Sequence, residues 1–186
     1  MGHTDVVRRG SVVSSWGSSA QERAAAYPCD GLIDAAHQDL FRAVDVAAPA
    51  PLVFRWLCQL RAAPYSYDWI DNRGRRSPRT LTDGLDALAV GQRFMSIFRL
   101  VSFDAGRSIT VDSTTGTFGR VVCTYLVTPV DGRNCRLVVK LVVAAPRGPR
   151  GFVIRHLLPA SDLVMMRKQL LTLKALAERD ARASGP

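Results

Sequence analysis

The stretch PASDLVMMRKQLLTLKALAE, residues 159–178, carries the strongest helical period in the chain. Leu163, Met166, Leu170, Leu173 and Ala177 fall within one stripe at 3.6-residue spacing, and Arg167, Lys174 and Glu178 flank it. Val164, Leu171 and Ala175 form a second, narrower apolar stripe. A helix apolar on two sides should be covered on more than one side. Proline fits a first turn and Ser161 or Asp162 can cap, so the helix is expected to open at Pro159. Something upstream has to cover its apolar face.

That cover is written as strands. From Arg136 to Ala144, Leu137, Val139, Leu141 and Val143 alternate with Arg136, Val138, Lys140 and Val142, which predicts one dry face and one partly wet face. Further strands are expected over Gln92–Phe103, Arg107–Ser113 and Phe118–Thr128, with turns at Asp104-Ala-Gly, Thr115-Gly and Asp131-Gly-Arg. An earlier strand, Asp39–Val46, puts Leu40, Arg42, Val44 and Val46 on one face. Pro49 and Pro51 then open an amphipathic helix over Leu52–Arg61, and Tyr65–Asn72 can form a short helix capped by Ser66. Strands in a run followed by a terminal helix predict an α+β domain, residues 39–186. Residues 1–38 read as an N-terminal extension with a mobile Ser/Gly-rich start. Within it a short helix should run from Ser18 or Ser19 to Ala26 and stop before Pro28.

Composition narrows the function classes. The net charge is +9, almost all of it arginine, and 47% of residues are hydrophobic. No apolar run reaches the ~20 residues of a membrane span. Arg8 and Arg9 are followed by no apolar core, so no secretory signal is expected and the chain is read as cytoplasmic. Cys29, Cys58, Cys123 and Cys135 form no CxxC pair, and His3, His37 and His156 are scattered, so no metal site and no cofactor motif is legible. The cluster Arg73, Arg75, Arg76 and Arg79 reads as a solvated basic loop, and no specific nucleic-acid binding is expected.

Several motifs resemble one family. They are Trp16-Gly17 with Pro28-Cys29-Asp30, Arg42-Ala-Val-Asp-Val-Ala-Ala-Pro49, Phe54-Arg-Trp56-Leu, Tyr65-Ser-Tyr-Asp-Trp-Ile-Asp-Asn72, Val90-Gly91-Gln92, and Met166-Arg-Lys-Gln-Leu170 through Ala177-Glu178. Between Trp16 and Glu178 the chain resembles the START-like superfamily, also called Bet v 1-like or SRPBCC, in a bacterial branch often labelled polyketide cyclase or dehydrase. The resemblance implies a helix-grip fold: a curved antiparallel sheet around a long C-terminal helix, with two short helices after the first strand. It also implies an internal cavity. Its members include carriers, receptors and aromatase/cyclases, so it does not fix a reaction.

Alternation together with this resemblance nominates Trp56, Tyr65, Tyr67, Trp69, Phe94, Phe98, Tyr125, Met166 and Leu170 as cavity walls. Arg42 is the polar candidate. It shares the inward face of its strand and needs a partner, either Asp68, Asp71 or Asp112 or an anionic ligand group. A cyclase would need a carbonyl polariser, for which Arg42, Tyr67 and Tyr125 are available, and a base. No Ser/His/Asp order, phosphate loop or HExxH is present. The expected partner is a hydrophobic small molecule, lipid- or polyketide-like. The alternatives are a cyclase or dehydratase using the same cavity, and a structural or interaction protein whose cavity is filled.

Overall fold

Each alternating segment becomes a strand of one antiparallel sheet. The computed structural model describes residues 11–113, 119–144 and 146–184. Residues 1–10, part of the expected mobile start, and the turn at Thr115-Gly lie outside these residues. Two short helices come first, α1 (Val12–Ser15) and α2 (Ala20–Ala24). Then follow β1 (Gln38–Val46), α3 (Ala50–Cys58) with a 3₁₀ turn over Gln59–Arg61, and α4 (Asp68–Asp71). The meander is β2 (Arg93–Phe94), β3 (Phe98–Asp104), β4 (Ser108–Ser113), β5 (Arg120–Pro129) and β6 (Cys135–Ala144). The last element is α5 (Pro149–Ala183). The strand order is β1-β6-β5-β4-β3-β2, so the first strand closes on the last. This is the helix-grip architecture the sequence predicts.

Four expectations need correction. Helix α5 opens ten residues before Pro159, at Pro149, where Gly148 turns the chain at φ 86° and Pro149 occupies the first turn. Pro159 lies inside the helix. Its carbonyl accepts a hydrogen bond from Arg42. Second, Gln92–Phe103 is two strands, because Met95 and Ser96 both adopt positive φ and reverse the chain between β2 and β3. Third, Ser66 does not cap α4. Tyr67 stands at the N-cap, and the Ser66 hydroxyl donates to Asp71. Fourth, the second stripe of α5 stays uncovered, with Val164 and Leu171 exposed.

The face of β6 expected to be partly wet is dry as well. Val138, Lys140 and Val142 are buried there with Phe41, Ala43 and Val122, beneath Tyr27, Cys29 and Ile33 of the N-terminal segment. That segment is fastened by ion pairs. Arg136 donates to Glu22 at 2.7 Å, and Lys140 reaches Asp30 at 2.5 Å and Asp39 at 3.1 Å. Ser19 and Glu22 form a reciprocal capping box that starts α2. Ser15 and Trp16 bridge to Phe41 and Arg42 and so cover the outer edge of β1. Gly17 permits this approach. It has φ 74°, and a Cβ there would stand 2.1 Å from the Ala43 carbonyl oxygen.

Candidate functional site

The two halves of α5 meet the sheet differently. Its C-terminal half is packed solid. Leu170, Leu173, Leu176 and Ala177 are buried in one cluster with Trp56, Leu57 and Leu60 from α3 and the turn after it. Its N-terminal half stands over a cavity of about 920 Å³ bounded by α4, the inner face of β3–β6 and the loop after the 3₁₀ turn. The walls are largely apolar: Leu158, Met165 and Met166 from α5, Val121 and Val143 from the sheet, Met95 from the turn after β2.

This division sorts the nominated residues. Tyr67, Trp69, Phe98, Tyr125 and Met166 line the cavity. Trp56, Tyr65, Phe94 and Leu170 are buried in the packed half instead. Trp56 donates its indole N–H to Asp180 at 3.1 Å and meets Tyr65 edge-on at 6.0 Å. The aromatic cluster therefore splits by depth. Tyr65 is fully buried, Tyr67 half-buried, and Trp69 is 76% exposed at the cavity mouth.

Arg42 is inside, as its strand face requires, but its partner is none of the expected aspartates. Its Nη2 donates to Asp162 at 2.9 Å and to the Pro159 carbonyl at 3.2 Å, and Nη1 donates to the Phe41 carbonyl. Asp68 is occupied by Ser77, Asp71 by Ser66, and Asp112 by Arg120. The reason is the longer helix. With α5 beginning at Pro149, Leu158, Asp162, Met166 and Gln169 form one inward stripe, and two of its members are polar. A reading that put Asp162 at a helix cap had no place for it in the cavity. Polar residues interrupting an apolar period were the available signal.

Arg42 does not itself line the cavity, whereas Asp162 does. Burial pushes the Asp162 carboxyl up to about 6, against the opposing pull of Arg42. Asp71, also on the wall, is raised by burial too, and Ser66 partly offsets this. Tyr125 donates to Gln169 Oε1 at 2.7 Å, and Gln169 donates to the Pro64 carbonyl at 2.7 Å. Burial holds the Tyr125 phenol and the Cys123 thiol well above their ordinary ranges, so both face the cavity in neutral form. The site thus offers a neutral phenol donor and two carboxyls that resist ionisation, in an apolar chamber.

The raised carboxyl has a consequence for stability. Asp162 holds its proton in the folded state up to about pH 6, while the unfolded chain loses it near the ordinary value of 3.8. Between these values the folded state binds more protons, so this group's contribution falls as pH rises. The loss is of order 2–3 kcal/mol across the window. Glu22 and Glu178 are lowered and act in the opposite sense. The expected result is therefore a difference: from pH 4 to pH 7, wild type loses stability relative to Asp162→Asn in urea unfolding. A constant difference over that range would show that Asp162 titrates normally.

No family model and no curated protein sequence matches the chain. Solved structures do. An aromatase/cyclase, Zhui from Streptomyces sp. R1128, superposes with a TM-score of 0.54 at 18% identity, over 81% of this chain and 99% of that one. A Thermobifida fusca protein solved by NMR gives 0.53 at 21% identity, over 78% and 95%. Protein MLL2253 from Mesorhizobium loti gives 0.50 at 14% identity, over 76% and 98%. These likenesses show the fold.

Proposed function

We propose that this protein binds a hydrophobic small molecule in the cavity between the sheet and the first half of α5. The observation that carries the reading is the chamber itself. At about 920 Å³ it lies within the roughly 300–1,000 Å³ typical of ligand sites, with apolar walls and few polar groups. A lipid- or polyketide-like molecule with one hydroxyl or carbonyl fits that chemistry, with the Tyr125–Gln169 pair as its polar anchor. The volume speaks against a cavity filled by its own side chains. The test is titration with 1-anilinonaphthalene-8-sulfonate, compared with Val121→Trp, which puts an indole into the chamber. Wild type should bind, and the variant should bind at least ~tenfold more weakly, a change of about 1.4 kcal/mol. Equal affinity would place the probe elsewhere and remove the support.

A second reading has its own observation, the carboxyl raised to about 6 on the cavity wall. Such a group is matched to proton transfer near neutral pH. In a cyclisation, Asp162 would take the proton from a carbon beside a carbonyl, and the C–H electrons would pass to that carbonyl oxygen. Tyr125 would turn its hydroxyl from Gln169 to donate a hydrogen bond to the enolate formed. The enolate carbon would then bond to a second carbonyl carbon, whose oxygen would take the proton back from Asp162 as a hydroxyl; water would leave when Asp162 removes the remaining proton of the attacking carbon and passes it to the departing hydroxyl. Asp162→Asn separates the readings, since a carrier keeps its ligand affinity and has no turnover to lose.

A further inference from the structure

We propose that the mouth of the cavity docks on an anionic lipid bilayer. The proposal rests on the reading of the cavity as a hydrophobic ligand site, because the docking surface frames its opening.

The mouth lies between α4 and α5, where Trp69 and Ile70 face Ser161, Val164 and Met165 across the opening. Trp69 and Ile70 are 76% and 55% exposed. On α5, Val164 is exposed and Met165 half-buried beside them. The rim is thus an apolar surface on two elements, formed by Trp69, Ile70, Val164 and Met165 and continuous with the apolar interior. Isolated exposed side chains need no explanation, but a contiguous patch around a cavity does. Trp at such a boundary suits a bilayer interface, where its ring is apolar and its N–H wet.

Charge identifies the occupant. Directly after α4 stand Arg73, Arg75 and Arg76, all exposed, with no acidic partner among the described residues. Lys168 is exposed on α5, one turn after Val164, and is likewise unpaired among them. The acids that could neutralise this side are turned inward, Asp68 onto Ser77, Asp71 onto Ser66 and Asp162 onto Arg42. Asp162 is the only acidic residue between Pro149 and Ala177. An apolar surface bordered by unneutralised arginines matches acyl chains bordered by phosphate headgroups. A ligand leaving such a bilayer would enter the cavity without crossing water.

The test is co-sedimentation with vesicles of phosphatidylcholine alone and of phosphatidylcholine mixed with phosphatidylglycerol. The chain should partition onto the mixed vesicles, release as salt is raised, and shift Trp69 emission to the blue. Arg73→Gln, Arg75→Gln and Arg76→Gln together should weaken binding roughly a hundredfold, since each basic residue contributes about fivefold near an anionic surface. Ile70→Ser with Val164→Ser should weaken it while leaving the salt dependence intact. No partition onto mixed vesicles at low salt overturns the proposal. So does equal partition onto neutral vesicles, or capture by polyglutamate instead of vesicles. Probe binding in vesicle-free buffer reports the cavity separately: if it is lost while vesicle binding persists, the ligand reading fails and the docking surface stands.

Discussion

Replacing Asp162 by alanine is expected to destabilise the protein by about 3–5 kcal/mol, and replacing its partner Arg42 by methionine is expected to cost clearly less. The two halves of a buried ion pair are usually treated as equivalent, but here they differ in what remains. Arg42 is fully buried, and its Nε finds no partner among the described residues. Without Asp162 its guanidinium keeps only the Phe41 and Pro159 carbonyls. A guanidinium does not shed its proton in proteins, so the orphaned charge stays. Asp162 has an exit that Arg42 lacks. Its carboxyl is already raised to about 6 by burial, and removal of Arg42 raises it further, which favours the neutral form. Methionine meanwhile fills much of the arginine's stem volume. Urea denaturation of both variants at pH 7 checks the asymmetry. The double variant Arg42→Met with Asp162→Leu should recover most of the loss. Equal losses in the two single variants would mean that the attraction of the pair, rather than stranded charge, dominates.

The division of α5 into a packed half and a hollow half sets the second large effect. Leu170→Ala should cost about 2–5 kcal/mol, because it opens a void among side chains that cannot collapse. Leu170 is fully buried in the cluster that holds Trp56 and Leu173. Met166 lies one turn earlier and borders space that is already empty. Its truncation enlarges a cavity rather than creating one, so Met166→Ala should cost less stability and change probe affinity more. Tyr125 contributes to that change, since its hydroxyl approaches Met166 Sδ at 3.9 Å. Chemical denaturation with probe titration on both variants separates the effects. If neither the unfolding midpoint nor the affinity moves in either variant, α5 is not gripped by the sheet.

The fold was legible because its signals are periodic. Alternation in β1 and β6 and the stripe at Leu163 to Ala177 each repeat enough to fix an element. The cavity was less legible because it is defined by absence. Trp56 and Met166 carry similar inward patterns, and only the three-dimensional gap tells which borders empty space. Asp162 escaped for a local reason: Ser161 and Asp162 after Pro159 imitate a helix start, and the true start at Pro149 lies behind a Gly/Pro-rich stretch that reads as a loop. Lys140 shows a third kind of limit. Its charge suggests a wet face, and the cover that makes that face dry comes from residues more than a hundred positions earlier, as the Lys140–Asp30 separation of 110 shows.

The N-terminal strap has a consequence for the order of events during synthesis. Glu22 waits for Arg136, 114 residues later, and Cys29 for the Lys140 carbonyl, 111 residues later. β1 is no better placed, since its strand partner is β6. At ribosomal rates of about 5–20 residues per second, residues 11–46 spend several seconds outside the tunnel before any of these partners exists. Local helices such as α2 can form at once, but the apolar side chains Tyr27, Ile33 and Phe41 still lack Val122, Val138 and Val142, with which they are buried. Residues 11–46 are therefore made well before the strand that fixes them. In that interval they are the segment most exposed to holdase chaperones and proteases.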